Sequence, residues 1–189
     1  ELCTVPVATV DTVYTVMANG QIDVKMSYKK VEGLPDMPDF GMLFKLYSSV
    51  NKIKYYGLGP CENYCDRTQG AKLGLFASTV KEQYVPYLKP QECGNHGKVR
   101  HFDIANNLNQ GVSFVSKEGE LNVSALEFSP FELENALHAY ELPNSQTTFV
   151  RVSKRPLGVA GGDTWGSHVL EEFANHNENV EFNFSIYVL

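Results

Sequence analysis

Two runs of strict alternation constrain this chain more than any other feature. Ile22, Val24, Met26 and Tyr28 alternate with Asp23, Lys25, Ser27 and Lys29. Near the other end Val180, Phe182, Phe184, Ile186 and Val188 alternate with Glu181, Asn183, Ser185 and Tyr187. Side chains change face at every residue of a strand, so a period of two predicts strands with one apolar face. A wet opposite face marks antiparallel sheet, since parallel strands are covered on both sides. Further strands are predicted at residues 9–17, 41–47, 52–56, 98–104, 111–115, 121–128 and 147–153. Asn19-Gly20 joins the first two as a hairpin turn pair, both residues tolerating positive φ.

Breaks in the pattern are as informative as the runs. The Pro-rich residues 33–38 are a loop. Ser129, Pro130 and Glu132 supply a cap, a first helical position and a capping-box carboxylate, predicting one short helix to about His138. Residues 57–97 are dense in Gly, Pro, Asn, Asp and aromatics without a sustained period, and read as functional loops or packed connections. The sum is an all-β chain: an antiparallel two-layer β-sandwich with one short helix. Its 189 residues fit one such domain, 1–189.

Composition excludes some partners. A net charge of −6 and a pI near 5.4 argue against a nucleic-acid or anionic-membrane surface. No apolar run approaches a membrane span. Glu1 opens directly into strand-like sequence, so no signal peptide is expected, as in a piece cut from mid-protein. Cys3, Cys61, Cys65 and Cys93 are too sparse for a disulfide-built scaffold, and free thiols are the plain reading.

Three segments are costly to explain as plain sandwich. They are Gly57-Leu58-Gly59-Pro60-Cys61-Glu62-Asn63-Tyr64-Cys65-Asp66-Arg67, then Gln83-Tyr84-Val85-Pro86-Tyr87-Leu88-Lys89-Pro90-Gln91-Glu92-Cys93-Gly94-Asn95, then Gly158-Val159-Ala160-Gly161-Gly162-Asp163-Thr164-Trp165-Gly166. Each joins chain-bending residues to carboxylates, amides and aromatics. That mix suits sugar contact, and equally a loop whose polar side chains tie down backbone donors.

In this order and spacing the three segments resemble the C-terminal domain of the LacZ-type β-galactosidases of glycoside hydrolase family 2. The resemblance runs from about Pro38 to the last strand. It implies a supersandwich, similar to galactose mutarotase-like proteins, that accompanies a catalytic barrel domain in a larger enzyme hydrolysing terminal β-galactosides such as lactose. It implies that the two catalytic glutamates and a Mg²⁺ ion belong to the full-length enzyme, with no cofactor in this domain. It also implies that Trp165, the chain's one tryptophan, reaches the galactoside on the aglycone side. Thr164 stands where the family usually has Ser, Cys65 where Pro is usual, and Cys93 where Asn is usual. Paired departures at Cys65 and Cys93 imply neighbouring loops, and leave open both a disulfide and two separate thiols.

Other chemistry is weaker. Glu62 with Asp66, or Glu62 with Glu92, could be nominated as a retaining carboxylate pair, but no barrel pattern surrounds them. Cys61-x3-Cys65 and Cys93-x2-His96 have zinc-like spacing in a motif that the family uses without metal. His96, His101, His138, His168 and His176 form no His-x-His unit, Ser167-His168 and Ser185 lack a nucleophile elbow, and Gly161-Gly162 precedes no helix. The expected chain therefore has no catalytic residue and no metal ligand of its own, and Trp165 as its substrate contact. Two rivals remain: a free-standing galactoside-binding module, and a mutarotase-like enzyme, for which no His and Glu set assembles.

Overall fold

Among the described residues every strand pairing is antiparallel, as the one-sided alternation predicts. The computed structural model describes residues 8–160 and 166–189. Along the chain lie β1 (Val10–Val16), β2 (Ile22–Tyr28), β3 (Gly41–Tyr47), β4 (Lys52–Gly59), β5 (Lys72–Thr79), β6 (His96–Val99), β7 (His101–Ala105), β8 (Gly111–Ser116), β9 (Leu121–Leu126), α1 (Pro130–Asn135), β10 (Thr147–Ser153) and β11 (Val180–Val188). One sheet has seven strands in the order β1-β2-β11-β8-β7-β4-β5, and the other has four in the order β3-β10-β9-β6.

The two sheets bury their inner faces against each other. Val24 and Met26 of β2, Ile53 and Tyr55 of β4, Phe114 of β8 and Phe184 of β11 meet Val123 of β9 and Val150 and Val152 of β10 in one apolar cluster. Phe44 of the smaller sheet lies 4.9 Å, centroid to centroid, from Phe114 of the larger. A ring such as Phe114, 1% exposed, contributes about 2–3 kcal/mol through burial. A second, smaller cluster sits outside the four-stranded sheet, where Leu133 of α1 covers Leu126 and Cys93.

The β1–β2 hairpin forms, but its turn is not the two-residue type expected. Met17 N–H donates to Gln21 O at 2.8 Å, so three residues close the loop, and of Asn19-Gly20 only Gly20 takes positive φ, at +83°. The capping box at Ser129 is present, with Glu132 N–H donating to Ser129 Oγ at 3.2 Å and Ser129 N–H to Glu132 Oε2 at 2.7 Å. The helix ends at Asn135 rather than His138. There Leu137 N–H donates to the Glu141 carboxylate at 2.8 Å, and a new 3-10 turn begins at Ala139.

Two departures matter for the site. The predicted strand 98–104 is two strands in different sheets, β6 and β7, joined by Arg100 alone. An irregular register between His96 and Val99, with Lys98 at φ +53°, bends the chain across the sandwich. Strand β5 lies within the stretch expected to be irregular. It is a sheet edge, and its register sets Phe76 against Tyr55, so Leu73 and Leu75 face outward, 47% and 82% exposed. Two leucines on the wet side precede the inward Phe76, so no clean buried period shows.

Candidate functional site

The first motif leaves the end of β4 and is bent around Asn63. This side chain is 1% exposed. Its Nδ2 donates to Leu58 O at 3.0 Å and to Cys61 O at 3.1 Å, while its Oδ1 accepts from Gly97 N–H at 2.8 Å. Asn63 N–H also donates to Asn95 O at 2.7 Å, and Asn95 Nδ2 returns a bond to Asn63 O at 2.8 Å. Buried amides of this kind stand in for sheet bonds where the backbone cannot pair. The first and second motifs are therefore one folded unit.

The carboxylates of both motifs are held by donors. Glu62 accepts from Gly94 N–H at 2.7 Å, from the Arg67 guanidinium and from the Tyr87 hydroxyl. Glu92 takes both terminal nitrogens of Arg151 and the Tyr64 hydroxyl, the last at 3.1 Å. Arg151 Nε lies 3.2 Å from Asp39 Oδ2. Burial pushes the Asp39 carboxyl above its usual range, against the opposing pull of Arg151. Burial also works against the charge of Arg151, but Glu92 and Asp39 hold its guanidinium above the ordinary value. Tyr64 is pushed up by burial and by the negative Glu92 and Glu62, so it stays a donor.

This network floors a cleft of about 620 Å³ whose walls include Pro38, Pro90, Leu157 and Val159. The nominated carboxylates Glu62, Glu92 and Asp66 each accept from protein donors, Asp66 through Oδ2 from Ala160 N–H. Retaining hydrolysis needs one carboxyl free to attack and one to protonate, about 5–5.5 Å apart across a sugar.

The third motif enters through a tethered stem. Lys154 N–H donates to Phe40 O at 2.9 Å, Leu157 N–H to Pro38 O at 2.8 Å and Gly158 N–H to Phe173 O at 3.2 Å. Ala160 N–H then donates to Asp66 Oδ2 at 2.7 Å, which joins the third motif to the first. Trp165, the expected substrate contact, lies with residues 161–164 outside the described residues.

A family model described as β-galactosidase small chain matches residues 1–186. The chain belongs to the β-galactosidase small-chain family. It is 44% identical over 153 residues to a β-galactosidase of Priestia megaterium, covering 80% of this chain and 15% of that protein. It is 39% identical over 164 residues to a β-galactosidase of Streptococcus thermophilus, covering 87% of this chain and 16% of that one. To the β-galactosidase small subunit of Latilactobacillus sakei it is 33% identical over 195 residues, covering 96% of this chain and 61% of that subunit.

The departures from the family pattern can now be placed within this small chain. The loops bearing Cys65 and Cys93 are neighbours, as the paired departures implied. The thiols are not bridged: Cys61, Cys65 and Cys93 are all free. Cys65 Sγ lies 3.8 Å from Pro156 O, whereas Cys93 packs into the smaller cluster, where burial pushes its thiol up to about 11. The zinc-like spacing does not gather either, since both His96 ring nitrogens are engaged. Nδ1 lies 3.0 Å from the Tyr55 hydroxyl, and Nε2 meets the Gln83 side-chain oxygen. Among the described residues no three His, Cys, Asp or Glu side chains are grouped to hold a metal ion.

Sequence reading missed Asp39 and Arg151, which the small-chain fold brings to the centre of the site. Asp39 stood in a Pro-rich loop and Arg151 inside a strand. The one available signal was an arginine among Thr, Phe and Val in β10, since a covered guanidinium requires carboxylates.

Proposed function

We propose that this chain is the C-terminal accessory domain of a β-galactosidase acting on terminal β-galactosides such as lactose. In this reading it completes the aglycone side of the active site through Trp165, and the catalytic barrel domain supplies both glutamates. The observation that carries the reading is the match to β-galactosidases of which the chain spans only 15–16%. The committed state of Glu62, Glu92 and Asp66 supports a scaffolding role beside it. In the same reading a Mg²⁺ ion belongs to the full-length enzyme.

The test compares the parent enzyme with and without this domain, and the purified chain alone, on a chromogenic β-galactoside. The expected result is turnover only when barrel and domain are together. Turnover by the chain alone, abolished by Glu62→Gln, overturns the reading. Tight binding of lactose by the isolated chain in a calorimeter would favour the free-standing module instead.

A further inference from the structure

Burial stops abruptly between the first two strands of the larger sheet. β1 and β2 pair without a bulge from Val10↔Tyr28 to Val16↔Ile22. Val10, Thr12, Tyr14 and Val16 therefore share the inward face of Tyr28, Met26, Val24 and Ile22. On β2 that row is core, with Val24, Met26 and Tyr28 all buried. On β1 the same row is open, with Tyr14 56% and Val16 71% exposed.

The cause is the unequal width of the sheets. Seven strands face four, and on this side the smaller sheet ends at β3, whose strand partner among the described residues is β10 alone. Phe44 of β3 lies against Phe184 of β11 and Phe114 of β8, the third and fourth strands counted from β1. Across the open edge the Tyr14 hydroxyl lies 3.9 Å from Met42 Sδ of β3. Met42 and Leu46 are only partly buried against the core. A strand set beside β3, about 4.8 Å further out, would lie over the β1 row.

β1 also lacks the devices that keep a free edge unpaired. Its sequence, Val-Asp-Thr-Val-Tyr-Thr-Val, has one charge, at Asp11 on the outward face, no proline and no bulge. An apolar, uncharged row of this kind marks an interaction surface. The relatives supply a source for the cover. The chain spans 15% of the Priestia megaterium β-galactosidase and 61% of the Latilactobacillus sakei small subunit, so even that subunit has sequence beyond the match.

We propose that the β1–β3 edge is the docking edge for the remainder of the β-galactosidase, which adds a strand beside β3 with apolar residues turned onto Val10, Tyr14 and Val16. This rests on the reading that the chain is part of a larger enzyme. The added strand satisfies the outer backbone groups of β3 and closes the core over β1.

The test compares cysteine reporters in the 189-residue chain and in the full β-galactosidase, with maleimide labelling resolved by peptide mass. Val16→Cys and Tyr14→Cys report the inward row. Val13→Cys, at a position 57% exposed on the outward face of the same strand, is the control. In the isolated chain all three should label. In the full enzyme the two inward reporters should slow about tenfold or more, while Val13→Cys should change less than about twofold. Amide exchange across residues 41–47 should slow as well, because β3 gains a partner.

Inward reporters that label at one rate in both proteins overturn the proposal. Equal slowing of all three also overturns it, since that partner would bury the strand from both sides. Slow inward labelling in the isolated chain overturns it too. Sedimentation then tells a second copy, dispersed by Val16→Lys, from cover by the chain's own residues. The wider reading is judged separately by turnover. A barrel that hydrolyses the chromogenic substrate at full rate without this domain sinks that reading, whereas full dependence on the domain with unmoved labels removes only this edge.

Discussion

Arg151 and Glu92 meet end to end, with Nη1 donating to Oε2 at 2.8 Å and Nη2 to Oε1, while Arg151 Nε faces Asp39 Oδ2 at 3.2 Å. One cation thus neutralises two carboxylates at the junction of β10, the second motif and the Pro-rich loop. Its side chain is only 14% exposed. Arg151→Met should cost about 1–3 kcal/mol, because it leaves Asp39, 19% exposed, and Glu92, 36% exposed, without their shared cation. Pairing it with Glu92→Gln should restore part of that loss in a urea titration. Equal stabilities for the single and double variants would sink the idea that the charges are coupled.

His96 makes the fold acid-sensitive in a defined window. Burial lowers its pKa from 6.5 to about 4. With Nε2 donating to Gln83, the neutral ring accepts from Tyr55 at Nδ1. The unfolded chain takes up this proton below about 6.5 and the folded chain only near 4. Stability from this group is therefore flat above pH 6.5 and falls by about 3 kcal/mol as pH drops toward 4. His96→Gln should flatten that part of the stability–pH curve, whatever its effect at pH 7. A wild-type curve already flat between pH 6.5 and 4 would refute the assignment.

Asp23 should act lower on the scale. The Lys117 ammonium, with Ser185 and Gln21, holds its carboxyl down to about 2. The unfolded group protonates first, so its contribution is present above about pH 3.8 and is lost as pH falls toward 2. Lys117→Met should raise the Asp23 pKa in a carboxyl-resolved NMR titration, and an unmoved resonance would contradict the pairing.

The thiols should react in the order of their burial. In a Cys3→Ser background, unfolding without reductant is expected to release three free thiols, from Cys61, Cys65 and Cys93. In the folded protein Cys61 is exposed and should label first, while Cys93 should label last, its pKa pushed up to about 11 by burial. A count of one thiol on unfolding would revive the Cys65–Cys93 bridge.

Gly57 should tolerate no side chain. A Cβ there would stand 2.7 Å from Val99 Cγ2 and 3.0 Å from Val99 Cα, where β4 passes β6. Gly57→Ala is expected to destabilise by about 1–3 kcal/mol, by overpacking. A melting temperature equal to wild type would show that the strands can part freely.

The sequence by itself determined the strands whose apolar face is the buried face. β2 and β11 were legible residue by residue, as was the capping box at Ser129, because period and cap chemistry are local. It also marked the three motifs, whose Gly, Pro and Asn have no use in plain strand. Only the tertiary structure decided the rest. β5 escaped notice because an edge strand can turn Leu73 and Leu75 outward, and the break at Arg100 escaped because a bulge changes sheets without changing composition. The site was half legible for the same reason. Glu62, Asp66 and Glu92 were visible as residues, but whether a carboxylate reacts or braces depends on what donates to it. Arg151 and the Ala160 amide arrive from 59 and 94 residues away. Local pattern carries no record of such partners, because only the packing of the two sheets brings them within hydrogen-bond reach.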